Sequence, residues 1–562
     1  MKRGLASLLL FCLVTIAFSW PLAVEGRTLM VSRQFDLYSL VWLVHAVPSL
    51  DGALLTPLSA WPLGQRLVHA DSFLLVLVAK ACQARGTTLA AALALVGPVL
   101  SAWAAERLAA RHLGIPWPWS IIAGLSFGFS GLQLTALLEG HVYAMLCPWI
   151  PLLAWAWAEA TRPDGRTLHG VLAGVLWALC LLTSAYTGIV ATLLLLAWVP
   201  SLWRGRCWRA LLAAAAVALP VGLAYLYLFT SSGGEQRLDI GARSFATDET
   251  MAVGSARLGT LVGWTPGIDL ANHSIAPMLG FTVIALCLFA WPALRGRAEL
   301  RPYLLLAIGG VVLSLGPELN LFERDIGWPW VLLPLTWLEK ASFFHFPARL
   351  LQLAHLGMGV LAAASAAHIA RSRGRVVFLV LATALADVLL FSGALQRTAR
   401  IPVATPSAYA AAPADRAVLE LLPDFNADLT DEEMYLNNLS CSYQAEHGRS
   451  LLNLCLGTQR RAGPRWEVSG WLMGKLLVGE TGSEVAEILA ELGIGAVVVR
   501  PDLFQGGDRE ALLEALEVSL GPPSATSRDG GEYLQLYSIP EPRSPVDPVD
   551  RYLEITGPGN RP

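Results

Sequence analysis

Apolar runs recur about eleven times before residue 396, and at 1.5 Å per helical residue a run of about 20 residues matches a hydrocarbon core about 30 Å thick. The runs cover roughly Gly4 to Val24, Leu89 to Ala110, Trp117 to Leu138, Tyr143 to Glu159, Leu168 to Ser184, Gly188 to Trp203, Ala210 to Phe229, Pro277 to Leu294, Tyr303 to Leu315, Leu350 to Ala370 and Val376 to Leu395. Hydrophobic residues make up 55% of the 562-residue chain and charged residues only 15%, with a mean hydropathy of +0.53. A water-soluble chain would not carry so much apolar surface, so the solvent for most of this one is lipid. Tryptophans gather near the run ends, as at Trp117 with Trp119, Trp203 with Trp208 and Trp328 with Trp330. An amphipathic ring suits the headgroup layer there. The first run follows Lys2 and Arg3 as the core of a signal peptide would, but no clear small-x-small cleavage site precedes Arg27, so an uncleaved first span is expected.

Arginine sets the orientation. Arg107 and Arg111, Arg162 and Arg166, Arg204 with Arg206 and Arg209, Arg295 with Arg297 and Arg301, and Arg371 with Arg373 and Arg375 fall in every second connection. Basic residues in short loops stay on the cytoplasmic side. The N-terminus is therefore expected in the cytoplasm of a bacterial-type cell, and the protein in its inner (cytoplasmic) membrane. The segments Glu25 to Gly86, Glu139 to Val142, Ser231 to Ala276 and Pro317 to Arg349, with everything after Leu395, are expected outside. Within the first outer segment, Ser72 to Ala79 is apolar but too short to span, and reads as an interfacial or re-entrant helix. A net charge of −3 gives no sign of a nucleic-acid partner.

From about Gln396 the composition shifts to Pro, Asp, Glu and Gly, opening on an Ala/Pro linker with Pro402, Pro406 and Pro413. Glu484 to Leu492 reads as an amphipathic helix stopped by Gly493, Ala496 to Val499 as a buried strand, Asp508 to Leu520 as a helix ended by Gly521, and Tyr533 to Ile539 as an alternating strand. The expected architecture is a polytopic α-helical membrane domain over 1–395, with a large first outer loop at 25–86, and a small α/β extracytoplasmic domain over 396–562. No Gly-rich phosphate loop joins a strand to a helix there. Of the eight cysteines, six (Cys12, Cys82, Cys147, Cys180, Cys207 and Cys287) lie in or beside apolar runs and read as small buried hydrophobes. Cys441 and Cys455 lie in the outer polar region and are expected to pair as a disulfide in an oxidising compartment.

The residues able to carry chemistry collect in the outer segments. Asp36, in Phe35-Asp36-Leu37-Tyr38, stands just past the first span, ahead of Trp42 and His45. A carboxylate at the outer membrane surface can take the proton of an acceptor hydroxyl, and it can equally cap the helix that follows. Asp51, His69 and Asp71 share that loop, and Glu139 with His141 lies in the next outer connection. Each alone reads as a solvated loop charge, but converging carboxylates would bind a divalent ion or divide acid and base roles. Asp36, Asp71 and Glu139 are the candidate metal ligands. The last outer segment ends in Phe343-Phe344-His345-Phe346-Pro347-Ala348-Arg349. There the guanidinium suits a phosphate at the interface, or snorkels as a helix-end anchor. Asp387, inside the last run, is expected to face protein rather than lipid, for instance paired with an arginine.

Several of these pieces resemble the GT-C superfamily of membrane glycosyltransferases, in particular its bacterial YfhO-like group. They are Asp36-Leu37-Tyr38 with Trp42, Ala104-Ala105-Glu106-Arg107-Leu108, Gly124 to Ser130, Glu139-Gly140-His141 with Trp149-Ile150-Pro151-Leu152, Thr183 to Gly188, Phe346-Pro347-Ala348-Arg349 and Glu491 to Val499. The resemblance implies a fold whose first outer loop carries a catalytic Asp and whose donor is a sugar on a polyprenyl phosphate. Asp36 matches that position, although the frequent DxD or DxE pairing is absent, since Leu37 and Tyr38 follow it. On this reading a sugar passes with inversion to a glycan or lipid acceptor outside the membrane. Asp36 is the base, Asp71, Glu139 and His141 position substrate or a divalent ion, and His345 with Arg349 holds the leaving phosphate. A lipid-linked-glycan transporter or flippase, which would line a mid-membrane path with polar or broken helices, and a non-catalytic membrane scaffold are the alternatives.

Overall fold

The computed structural model describes residues 2–19, 29–30, 35–46, 55–56, 58, 62, 65–66, 73–138, 146–162, 165–200, 208–231, 279–315, 318–321, 324–329, 347–370, 379–387, 401–402, 405–421, 439–445, 447–452, 464–477, 482–504, 506–529 and 533–556. Helices form over the apolar runs and within the segment between the first two: α1 (Lys2–Phe18), α2 (Phe35–Ala46), α3 (Phe73–Ala81), α4 (Gly86–Arg107), α5 (Ser120–Gly128), α6 (Gly131–Leu138), α7 (Trp149–Ala160), α8 (Thr167–Thr183), α9 (Ala185–Leu196), α10 (Trp208–Ser231), α11 (Phe281–Leu288), α12 (Arg301–Ser314) and α13 (Leu351–Ala370). Three stretches among the described residues, Gly86–His112, Trp208–Tyr227 and Ala348–Ile369, are long and apolar enough to cross a membrane. The expectation of about eleven such helices is not met by length alone. The run from Trp117 to Leu138 is broken between α5 and α6, where Phe129 leaves helical geometry at φ −126° and ψ 36°. The run from Pro277 to Leu294 divides into α11 and the short helix Trp291–Arg295. Hydropathy reports where a segment dissolves, not whether its hydrogen-bond ladder is continuous.

Small residues let these helices approach closely, which is how helices pack where lipid supplies no hydrophobic drive between them. A Cβ built on Gly170 would lie 2.2 Å from the Ala210 carbonyl oxygen, and one on Gly174 would lie 2.6 Å from that of Ala214, so α8 and α10 run side by side in the same direction. A Cβ on Gly310 would meet the Ala354 nitrogen at 2.4 Å and one on Gly357 the Tyr303 oxygen at 2.4 Å, so α12 and α13 run in opposite directions.

One end of the bundle gathers arginines. Gly4 of α1 packs on Arg107, with a built Cβ 3.1 Å from the guanidinium, and Trp117 donates to the Ser7 hydroxyl at 3.2 Å. Arg107 pairs with the fully buried Glu106, which also accepts from Ser120 Oγ at 3.0 Å. Beside them Glu159 meets His112 at 2.8 Å and Arg162 at 2.7 Å, and Arg297 donates to the Leu113 carbonyl. Three of the Arg-bearing connections thus come together at this end.

The C-terminal region folds around a four-stranded sheet of β1 (Ala417–Leu421), β2 (Ile494–Val499), β3 (Ala525–Ser527) and β4 (Leu534–Ser538), in the order β1-β2-β4-β3. β1 runs parallel to β2 and the other pairs are antiparallel. Every residue of β1 and β2 is buried, the pattern of strands covered on both faces. Helices Ser483–Glu491 and Gly506–Leu520 pack on the sheet and end where Gly493 (φ 72°) and Gly521 (φ 83°) take the left-handed conformation that stops a helix. Within the core, Glu420 of β1 pairs with Arg500 at 2.9 Å and accepts from Ser440 and Tyr409. Burial alone would raise the Glu420 carboxyl, but the Arg500 charge and these hydrogen bonds hold it below the usual carboxylate range. Cys441 is disulfide-bonded; its expected partner Cys455 lies outside the described residues.

Candidate functional site

Packing distances give each helix a direction and so locate the bundle end that faces the C-terminal sheet. A Cβ on Gly124 would touch Phe11 and Ala102, and one on Gly128 would touch Ala102 and the Pro98 oxygen, so α5 runs antiparallel to α4. Ser126 Oγ donates to the His355 carbonyl at 3.3 Å, and a Cβ on Gly359 would lie 2.9 Å from the Ser126 Cβ, so α13 runs antiparallel to α5. The first residue of α4 and the first turn of α13 therefore share one end, opposite the arginines, and Leu132 of α6 packs there with Ala348 and Leu351. Gly86 at that end packs directly on α2, where a built Cβ would lie 2.5 Å from the Val41 Cα.

Arg349 stands at this end, in the 3-10 turn Pro347–Leu350 that leads into α13. Its guanidinium lies over the Tyr186 ring, 4.3 Å from the centroid. A cation over an aromatic face is attracted by the ring quadrupole, and a guanidinium carries five N–H donors besides. Tyr186 is held in turn by the tight α8 to α9 connection. Ser184 caps α9 by accepting from the Tyr186 amide at 3.3 Å, the role a short hydroxyl side chain plays at a helix start. The motif Thr183-Ser184-Ala185-Tyr186 carried the resemblance in sequence, but nothing in it pointed to Arg349.

Asp36 is the second residue of α2; its side chain lies outside the described residues. Asp51, His69, Asp71, Glu139, His141 and His345 also lie outside them. Leu138, the residue before Glu139, ends α6, whose first turn packs through Leu132 on Ala348 and Leu351, the neighbours of Arg349 in the chain. Asp387 does not pair with an arginine in the described contacts. Its carboxylate accepts from the Thr282 amide at 2.8 Å, at the start of α11, where a negative charge complements the free amides. Among the described residues no three His, Cys, Asp or Glu gather as a metal site, and the candidate ligands Asp36, Asp71 and Glu139 contribute no described side chain to that comparison.

Helix α2 and the C-terminal sheet share one hydrophobic core, in which Leu40, Val41, Trp42, Leu43 and Ala46 pack with Tyr409, Tyr443, Leu451 and Val498. His447 stacks on Tyr409 with centroids 4.9 Å apart and planes within 8°. The buried Nε2 atoms of His45 and His447 have no hydrogen-bond partner among the described residues. Burial pushes the His447 imidazole down to about 3, with Arg449 and His45 lowering it further and Glu420 opposing. Burial also lowers His45. A histidine held neutral stabilises the packed state above its unfolded value of about 6.5, and that stability is lost as the pH falls towards the folded value. Acidifying from pH 7 to pH 5 is therefore expected to weaken the α2 contact by about 1–2 kcal/mol. Hydrogen exchange of residues 35–46 at the two pH values, corrected for intrinsic rates, checks this. The His447→Phe variant should lose most of the dependence.

No family model and no curated protein matches the chain. Among solved structures, the arabinofuranosyltransferase AftD from Mycobacteria superposes on 97% of this chain at a TM-score of 0.57 and 16% identity, and a mutant form of it does so at 0.59. The fold is that of the GT-C membrane glycosyltransferases. This chain spans 40% of AftD's length. ArnT from Cupriavidus metallidurans, bound to undecaprenyl phosphate, matches over 95% of this chain and 97% of its own at a TM-score of 0.48 and 13% identity. Three stretches among the described residues are long and apolar enough to suit such a membrane fold.

Proposed function

We propose that this protein is a glycosyltransferase that moves a sugar from a polyprenyl-phosphate donor to a glycan or lipid acceptor outside the bacterial inner membrane. About eleven crossings, some broken or short, place the N-terminus inside and residues 396–562 outside. The observation that carries the reading is the collection at one bundle end, facing the C-terminal sheet, of α2 with Asp36 in its first turn, the start of α6, which runs on to the residue before Glu139, and Arg349 over Tyr186. In the reaction the acceptor oxygen attacks the anomeric carbon from the face opposite the phosphate, the bond from carbon to phosphate oxygen breaks, and Asp36 takes the acceptor proton. Configuration inverts. Arg349, with His345, offers donors to the departing phosphate, while Asp71, Glu139 and His141 position substrate or a divalent ion. Removing the guanidinium is expected to lower turnover and raise the donor KM. In detergent-solubilised protein, Arg349→Ala should lose about 10- to 100-fold in kcat/KM and Arg349→Lys less, since Lys keeps the charge but not the planar fork. Unchanged kcat/KM in Arg349→Ala would remove Arg349 from the site.

A transporter of lipid-linked glycans is the second reading. It draws on the break between α5 and α6 and on the buried Gln352 Oε1 and His355 Nε2, which lack hydrogen-bond partners among the described residues of the bundle. Broken helices lined with polar groups are what a translocation path needs.

A further inference from the structure

We infer that Gln444 is a positioning residue that holds α2, and with it Asp36, in place from the C-terminal region. Trp42 and Gln444 are both fully buried. The Trp42 indole N–H donates to Gln444 Oε1 at 2.5 Å. The Gln444 amide donates to the Leu58 carbonyl and, at 2.6 Å, to the Arg449 carbonyl. Both amide hydrogens and the amide oxygen are thereby used, and one side chain ties α2, the outer-loop segment at Leu58 and its own chain segment together. Leu451 reinforces the join by donating its amide to the same Leu58 oxygen at 2.9 Å. Further along, Leu29–Met30 pairs antiparallel with Ile401–Pro402, so the start of the outer loop is also fastened to the start of the C-terminal region.

The arrangement makes the C-terminal region part of the site without giving it a reacting group. A fully satisfied buried amide fixes a distance and an angle that apolar packing alone leaves loose. A base helix displaced by a fraction of an ångström loses alignment with the acceptor proton. The role in the reaction rests on Asp36 acting as proposed above; the hold on α2 does not.

The test uses the full chain in detergent or nanodiscs. Gln444→Leu keeps volume and removes all three hydrogen bonds, while Trp42→Phe removes only the one to the indole. In Gln444→Leu the amides of residues 35–46 should exchange about ten-fold faster, while those of β1 and β2 exchange as before. Trp42→Phe should show a smaller selective change, and the double variant no more than Gln444→Leu alone. Transfer should show turnover lowered about ten- to hundred-fold with the donor KM unchanged. Unchanged exchange in 35–46, or an equal rise in β1 and β2, overturns the inference, the second because it marks general destabilisation. Selective loosening of α2 with undiminished transfer upholds Gln444 as the clamp and counts instead against Asp36 as the base.

Discussion

Asp36→Asn is expected to lower sugar transfer by about 10² to 10⁴-fold, the usual loss when a general base is removed. The amide keeps the size and shape of the carboxylate but takes no proton from an acceptor hydroxyl. The fold should not suffer. Asp36 sits in the first turn of α2, where an acidic side chain contributes about 0.3–1 kcal/mol through the helix dipole, and an amide retains part of that. Membrane level and thermal unfolding should therefore match the parent while activity collapses. A loss of activity that follows a loss of folded protein would mean that Asp36 is a helix-end residue and no more. The donor KM should stay near the parent value, because the base acts on the acceptor.

The Arg500→Met variant should show the largest effect on stability. Glu420 is fully buried in β1, and Arg500 lies just beyond β2 with 3% of its side chain exposed, 2.9 Å away. Breaking one side of a buried pair leaves an uncompensated charge and costs about 3–5 kcal/mol, whereas replacing both partners with apolar groups is often neutral. Thermal unfolding of the C-terminal region, followed by limited proteolysis of the intact chain, should shift strongly downward in Arg500→Met. It should recover substantially in the double variant Glu420→Leu with Arg500→Met. Ser440 and Tyr409, which lose their acceptor in the double variant, keep the recovery incomplete.

Much of the fold was legible because lipid and a small sheet impose simple patterns. The buried strand expected at Ala496 to Val499 is the fully buried β2, and the helix expected over Asp508 to Leu520 ends at Gly521 as its glycine signalled. The apolar runs are helices, but hydropathy alone does not reveal the break in Trp117 to Leu138; its signal is the cluster Gly128, Ser130 and Gly131 around Phe129. Gly128 lies against Ala102 and the Pro98 carbonyl, and no hydropathy scale sees that approach. Asp387 was legible as a carboxylate facing protein but not as the cap of α11, because its partner, the Thr282 amide, lies 105 residues away.

The candidate site was legible in its parts but not in its connections. Arg349 stood out as a cation entering an apolar segment, while Tyr186 carried no sign that it would lie beneath that guanidinium. Gln444 gave no signal at all. A glutamine in a polar stretch is ordinary, and only the distances to Trp42 and Leu58 show what it joins.

The fate of a labelled donor tests the central claim most directly. Purified protein in vesicles would be given a polyprenyl-phosphate sugar carrying one label on the sugar and another on the lipid, with a mixture of envelope glycan and lipid acceptors. A transferase separates the two labels: sugar appears on acceptor with inverted configuration and free polyprenyl phosphate accumulates in equal amount, in the parent and not in Asp36→Asn. Both labels crossing the bilayer together, with the donor intact and the Asp36 variant equally active, would contradict the transferase account and establish the transporter in its place.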